Sequence, residues 1–207
     1  MIHSGVDLSR FESLPSSQEA RASFGIPAGR RVVGVVGALA AHKGHAVLFK
    51  ALSRLKNLSG GIQVMAAGEG PLRDSLAEQA SALGLDVRWL GYLKEPARLY
   101  PALDCLVLPS ISGEGSPGVI KEAAAAGVPV VATDVGGAGE ILRSGREALL
   151  VKPGDVKGLA DSLLALLEDG ETSRRLASAA LERIKAFSME RMAECHMALY
   201  RRILATA

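Results

Sequence analysis

Cysteine is scarce in this chain, with Cys105 and Cys195 the only two in 207 residues. They lie far apart in no metal-type or redox-type spacing, so both read as ordinary thiols of a reducing compartment. Charge of one sign is lacking too: the formal net charge is +2. That is too weak to argue for a nucleic-acid or polyanion surface. No stretch approaches the ~20 apolar residues of a membrane span. Residues 1–10 hold no long apolar run, so no signal peptide is expected. No repeat or low-complexity segment is apparent. A Gly-x-Gly-x-x-Gly fingerprint is absent after the first apolar run, where Gly34-Val-Val-Gly37 does not match, which argues against a dinucleotide-dependent dehydrogenase.

What is present is apolar and alternating. Hydrophobic residues make up 48% of the chain, enough for a sizeable core. Short β-branched runs predict strands at Arg31 to Val36, Ile62 to Ala66, Asp86 to Leu90, Cys105 to Pro109, Val128 to Ala132 and Ala148 to Val151. Between them, apolar spacing and Gly or Pro punctuation predict helices at His45 to Leu58, Pro71 to about Leu83, Glu95 to Leu103, Pro117 to Ala126 and Ala138 to Arg143. From Asp155 through Leu204 the chain reads as helix after helix. The fold class expected is α/β: a Rossmann-like, doubly wound, six-stranded parallel sheet with helices on both faces and a C-terminal helical tail. Ligands of such sheets bind beyond the carboxyl ends of the strands, where every Gly-rich loop of this chain lies.

The strongest chemical feature is the stretch from Ser110 to Asp134. Glu114 sits in the loop after a strand, and Glu122 sits about a turn and a half into the next helix. Helical side chains lean toward the helix start, so Glu122 is expected to reach the crevice that Glu114 faces. Gly115, Ser116 and Gly118 leave backbone N–H groups free at that start, which suits a phosphate. A carboxylate beside a phosphate makes sense if it accepts hydrogen bonds from sugar hydroxyls. A nucleotide sugar has both parts. A single Glu at such a place would serve the helix dipole alone; the pair in this context is more specific.

This segment resembles the E-x7-E motif of family 4 glycosyltransferases, two-domain GT-B enzymes. Further stretches resemble the family in order and spacing. These are Gly5 to Phe11 (interdomain linker), Val36 to Gly44 (first phosphate loop), Ala67 to Pro71 (second Gly-rich turn), Leu90 to Tyr92 (base-side segment) and Val135 to Glu140 (the loop after the fifth strand). The resemblance implies the nucleotide-sugar-binding half of a retaining hexosyltransferase. Lys43 would contact the diphosphate, Glu122 the ribose hydroxyls and Glu114 a hydroxyl of the donor sugar. Gly37, Ala38, Gly68, Gly70, Gly91, Tyr92, Ser116, Pro117, Gly118 and Val119 would line the donor. No metal and no cofactor are implied, and no Asp-x-Asp motif is present. The donor would be a UDP-, GDP- or ADP-sugar. The acceptor would be a lipid-linked sugar, a polysaccharide or a small molecule.

Residues 1–12 read as an interdomain linker remnant, 13–187 as the donor-binding domain, and 188–207 as a helix that would brace an N-terminal domain not contained in the chain. The fragment alone is expected to bind nucleotide but turn over little. The implied location is the cytoplasm, with the inner face of the membrane and peripheral association left open. One departure stands out: family members often carry Arg where this chain has Ala38. His42 and His45 are candidates to compensate, although a capping or surface role is expected for both. A nucleotide-sugar epimerase of the same architecture and a non-catalytic nucleotide-binding module are the rival readings.

Overall fold

The computed structural model describes residues 2–55 and 58–205. Six parallel strands form one sheet: β1 (Arg31–Val36), β2 (Ile62–Ala67), β3 (Asp86–Gly91), β4 (Cys105–Leu108), β5 (Val130–Thr133) and β6 (Leu149–Val151). Their order is β3-β2-β1-β4-β5-β6. The order reverses between β1 and β4, which pair from Val33 to Cys105 and from Gly34 to Leu106. That reversal opens a crevice at the strand ends.

The helices are α1 (Ser17–Ser23), α2 (His45–Leu52), α3 (Arg73–Ala82), α4 (Gly118–Ala125), α5 (Ala138–Ile141), α6 (Val156–Glu168), α7 (Gly170–Ile184) and α8 (Met189–Ala205). The strands read as unbroken apolar runs because both faces of the sheet are covered. The pleat sends alternate residues to opposite cores. Val32, Met65, Leu106 and Val130 pack on one face with Ile120 and Ala124 of α4 and Tyr100. Val33, Val64, Cys105 and Val131 pack on the other with Leu48 and Phe49 of α2, Leu76 of α3 and Leu163 of α6. Cys105 is thus a core residue, and burial pushes its thiol up to about 12. At Gly34 the first face admits no side chain, because a Cβ there would lie 2.3 Å from Leu103 Cδ1.

The strand and helix bounds differ from the sequence expectations mainly at prolines. Pro71 lies in a turn, and α3 begins at Arg73. The expected helix from Glu95 to Leu103 is instead two 3-10 turns, Pro96–Arg98 and Tyr100–Ala102. Pro96 and Pro101 lack the N–H that would continue an α-helix. β5 starts at Val130, after Pro129. The helix expected from His45 to Leu58 ends as an α-helix at Leu52 and continues as a 3-10 turn to Leu55. Lys56 and Asn57 of that expectation, and residues 206 and 207 of the expected tail, lie outside the described residues. Helix α1 was not anticipated. Its capping box is readable in Ser16-Ser-Gln-Glu19, where the Ser16 and Glu19 side chains each bond the other's backbone N–H.

The segment before α1 lies against the end of the chain. Val6 N–H donates to Phe187 O at 2.9 Å, and Met189 N–H donates to Val6 O at 3.0 Å. Helix α8 follows with no buried residue, and Met197, Tyr200 and Ile203 are exposed along it. Among the described residues no helix is long and apolar enough to cross a membrane.

Candidate active site

The crevice sits over the carboxyl ends of β1 and β2. A cavity of about 500 Å³ is lined by Gly37, Ala38, Gly68, Glu69, Tyr92, Lys94, Val119 and Glu122, with Arg10 at its edge. Its floor is made by glycines. A Cβ on Gly68 would lie 1.9 Å from Gly37 O, and Gly68 holds φ +136°. Gly37 N–H donates to Ala67 O at 2.9 Å and Gly68 N–H to Gly91 O at 2.7 Å, which locks the loops after β1, β2 and β3 together. Glu69 braces the rim: its backbone oxygen accepts from Leu39 N–H at 2.9 Å, and Oε1 accepts from Tyr92 N–H at 3.4 Å. The Tyr92 ring is 74% exposed at the mouth.

Helix α4 enters from the β4 side. Its first residue, Gly118, and the preceding Gly115 are exposed, and a Cβ on either would meet nothing within 4 Å. The N-terminal N–H groups therefore point into open space with no side-chain cap. One turn on, Glu122 lines the cavity, and its Oε2 accepts a 2.6 Å hydrogen bond from Tyr100 Oη–H. Tyr100 is fully buried. Burial and the adjacent Glu122 carboxylate raise its pKa far above the ordinary phenol value, so it stays a donor. Lys121, the neighbour of Glu122 on α4, is buried and faces the N-terminal segment. Burial pulls its ammonium below the ordinary value, and Glu122 opposes the shift.

Glu114 does not line that cavity beside Glu122, contrary to the expectation that both acids face one crevice. It is 8% exposed, and its Oε1 accepts from Lys43 Nζ and from Ser110 Oγ–H, each at 2.6 Å. A nearly buried carboxylate takes the nearest cation and hydroxyl rather than an unpaired position. Its backbone oxygen accepts from Gly137 N–H at 3.1 Å. Gly136 makes this approach feasible, since a Cβ there would lie 1.5 Å from Glu114 O. Thr133 Oγ1–H donates to Ser110 O at 2.5 Å and holds the start of the same loop.

Of the donor-site candidates, Gly37, Ala38, Gly68, Tyr92, Val119 and Glu122 are gathered at the cavity. Gly70 and Gly91 shape its rim: a Cβ on Gly70 would strike the Leu39 backbone, and Gly91 has φ +64°. Lys43 and Glu114 form a pair in the loops before α2 and α4, and Ser116, Pro117 and Gly118 follow Glu114 into the start of α4. Arg10, Glu69, Lys94, Ser110 and Tyr100 were not singled out from the sequence. His42 is exposed, but His45 is neither a cap nor a surface residue. It is 3% exposed, both ring nitrogens lack hydrogen-bond partners among the described residues, and burial with the neighbouring Lys43 charge lowers its pKa to about 4. Position 45 is the first residue of α2, directly after Gly44, where a Cβ would lie 1.9 Å from Pro109 O. No group of three or more His, Cys, Asp or Glu side chains is gathered among the described residues.

The sheet order, the helices on both faces and the C-terminal helix define a Rossmann-like domain of the GT-B glycosyltransferase type. The chain belongs to the family described as glycosyl transferases group 1, whose model matches residues 16–183. Among curated relatives, it is 35% identical over 225 residues to the D-inositol 3-phosphate glycosyltransferase of Nocardioides sp., covering 99% of this chain and 48% of that protein. It is 36% identical over 190 residues to the 2-deoxystreptamine N-acetyl-D-glucosaminyltransferase of Streptomyces fradiae, covering 87% and 45%. The chain thus spans about half the length of the curated relatives it matches. Among solved structures, the Anabaena protein HepE in complex with UDP and glucose superposes with a TM-score of 0.88 at 26% identity, covering 97% of this chain and 56% of that one. A glycosyltransferase from Rickettsia africae shares the fold at a TM-score of 0.90 and 22% identity, covering 100% and 57%. The two curated relatives and the Rickettsia africae protein are named as glycosyltransferases, and the epimerase reading finds no support among them.

Proposed function

We propose that this chain is the donor-binding domain of a family 4 retaining glycosyltransferase, which moves a hexose from a nucleoside diphosphate to a hydroxyl acceptor. The observation that carries the reading is the open start of α4, with the Glu122 carboxylate in the cavity and the Lys43–Glu114 pair in the loop that leads into the helix. In this reading the diphosphate lies at the α4 N–H groups, where the helix dipole favours an anion. Glu122 accepts from the ribose hydroxyls, and the base lies toward Tyr92. The HepE complex with UDP-glucose, at 27% identity, supports a nucleotide sugar as the ligand class.

The Lys43–Glu114 pair suits a hand-over. An arriving diphosphate competes with Glu114 for the Lys43 ammonium, and charge on the departing nucleotide strengthens that competition. Glu114, released, accepts from a hydroxyl of the sugar and holds it at the reacting face. Residues 188–207 would brace an N-terminal domain carrying the acceptor, and closure of the two would exclude water. The acceptor classes remain those chemically open to a hydroxyl donor: lipid-linked sugar, polysaccharide or small molecule.

Calorimetric titration with UDP, GDP and ADP tests the reading. One of the three should bind, and Glu122→Ala should weaken it by about 1.5–3 kcal/mol, the value of a charge-assisted hydrogen bond. Binding of none of them, or binding untouched by Glu122→Ala, overturns the assignment.

A further inference from the structure

Lys121 lies on α4 between the two glutamates, yet it points away from solvent and is 1% exposed. Its hydrogen-bond partners among the described residues are all neutral oxygens. Nζ donates to Ser4 O at 2.6 Å, to Ser4 Oγ at 2.8 Å and to Ser116 Oγ at 3.1 Å. An ammonium has three protons, so this geometry spends all of them. The two hydroxyls are also bonded to each other, Ser4 Oγ to Ser116 Oγ at 3.2 Å.

Proton counting fixes what is left. A lysine can only donate, so both serine oxygens must accept from it. The serine–serine bond uses one of the two hydroxyl protons. The other has no acceptor in the network. With Ser4 Oγ–H donating to Ser116 Oγ, the Ser116 oxygen accepts twice and its proton is available. Ser116 stands two residues before Gly118, where α4 begins with uncapped N–H groups. A buried cation behind a hydroxyl polarises it and makes it a stronger donor.

We propose that Lys121 is a positioning residue for the donor: it commits the Ser116 hydroxyl to donating toward a phosphate oxygen at the start of α4. The proposal rests on the donor-binding reading above and deepens it. It also supplies positive charge on a site whose first loop carries Ala38. The same ammonium ties Ser4 to α4, so phosphate binding and the placement of the N-terminal segment are linked through one side chain.

The test is a thermodynamic cycle on this chain, using whichever of UDP, GDP and ADP the unaltered protein binds, and its nucleoside as reference. Lys121→Met and Ser116→Ala should each weaken the diphosphate about tenfold. The double variant should be no weaker than either single one, because both remove the same donor. Nucleoside affinity should stay within about twofold, which a general loss of structure would not permit. Where Lys121→Met melts early, Lys121→Gln replaces it, keeping donors but no charge, and Ser116→Ala decides independently. Additive penalties, or an unchanged ratio of diphosphate to nucleoside affinity in folded variants, overturn the proposal. If Glu122→Ala weakens the diphosphate while these variants do not, the donor-site reading stands and this inference falls. If no diphosphate binds, both fall.

Discussion

Removing one oxygen atom, by Tyr100→Phe, separates the chemistry of the crevice from its packing. The ring is fully buried in the core on the α4 side of the sheet, and Phe keeps that packing. The lost bond is the 2.6 Å donation to Glu122 Oε2. Such bonds to a charged group are worth about 1.5–3 kcal/mol. Glu122 lines an open cavity and can recruit water in the variant, so the low end applies, about 1.5 kcal/mol. For a domain of this size that is a melting shift of about 3–6 °C.

The pH dependence gives a second reading of the same bond. The folded-state pKa of Tyr100 is raised by burial and by Glu122, so the folded protein keeps this proton where the unfolded chain loses it, above about pH 10. There the unfolded state binds fewer protons and stability falls with rising pH, by up to about 1.4 kcal/mol per unit. The advantage of the unaltered protein over Tyr100→Phe should therefore be level from pH 6 to 9 and vanish near pH 11. Tyr92 and Tyr200 are exposed in both proteins and cancel. Chemical denaturation across that range is the assay. A gap that stays constant to pH 11, or no gap at pH 7, refutes the argument. In the proposed site nucleotide affinity should drop as well, since a carboxylate freed from Tyr100 would lose the orientation that presents it to the ribose.

Two further perturbations test the loops around the pair of acids. Gly136→Ala places a Cβ 1.5 Å from Glu114 O at φ +52°, and should cost about 2 kcal/mol or more by urea denaturation; a neutral result would show that the loop after β5 does not hold Glu114. His45, with its pKa lowered to about 4, takes up a proton less readily folded than unfolded. Its share of stability is therefore complete above about pH 6.5 and is lost as pH falls toward 4, by roughly 3 kcal/mol. His45→Leu should remove that slope between pH 6.5 and 4 while leaving stability at pH 7 equal or higher, since neither ring nitrogen has a partner to lose; an unchanged slope would assign the acid sensitivity elsewhere.

The sheet was legible because each strand is short, β-branched and bounded by glycine or proline. β1 falls on Arg31–Val36 as expected, and Gly84, Gly127 and the other turn glycines mark element ends where positive φ is needed. The capping box of α1 was also written in the sequence, but its apolar content is low and only Ala20 is buried, so periodicity did not reveal it. The crevice itself was placed by the glycines that let backbones approach. The pairing of charges was not legible. Lys43 and Glu114 lie 71 residues apart, and Tyr100 and Glu122 lie 22 apart on different elements, so only the assembled sheet brings them together. Lys121 is the sharpest case. A lysine in mid-helix reads as a solvated stem, and what buries it is the N-terminal segment, more than a hundred residues away in sequence.

The charges around the start of α4 also explain why the acids need separate surroundings. Two carboxylates eight positions apart, flanking the proposed phosphate site, would each raise the cost of binding a diphosphate. In the structure one charge is offset and the other is held in place. Glu114 is neutralised by Lys43 and bonded by Ser110, and Glu122 is held by a hydroxyl that stays protonated at any working pH. The two tethers differ in kind. Tyr100 offers no charge that a phosphate could attract, so Glu122 keeps its place when the ligand arrives. Lys43 offers a full charge, so its bond to Glu114 is the one a diphosphate can take over. In the proposed reaction the fixed acid then belongs on the part of the donor that is retained by the enzyme, the nucleoside, and the exchangeable acid on the part that is passed on, the sugar.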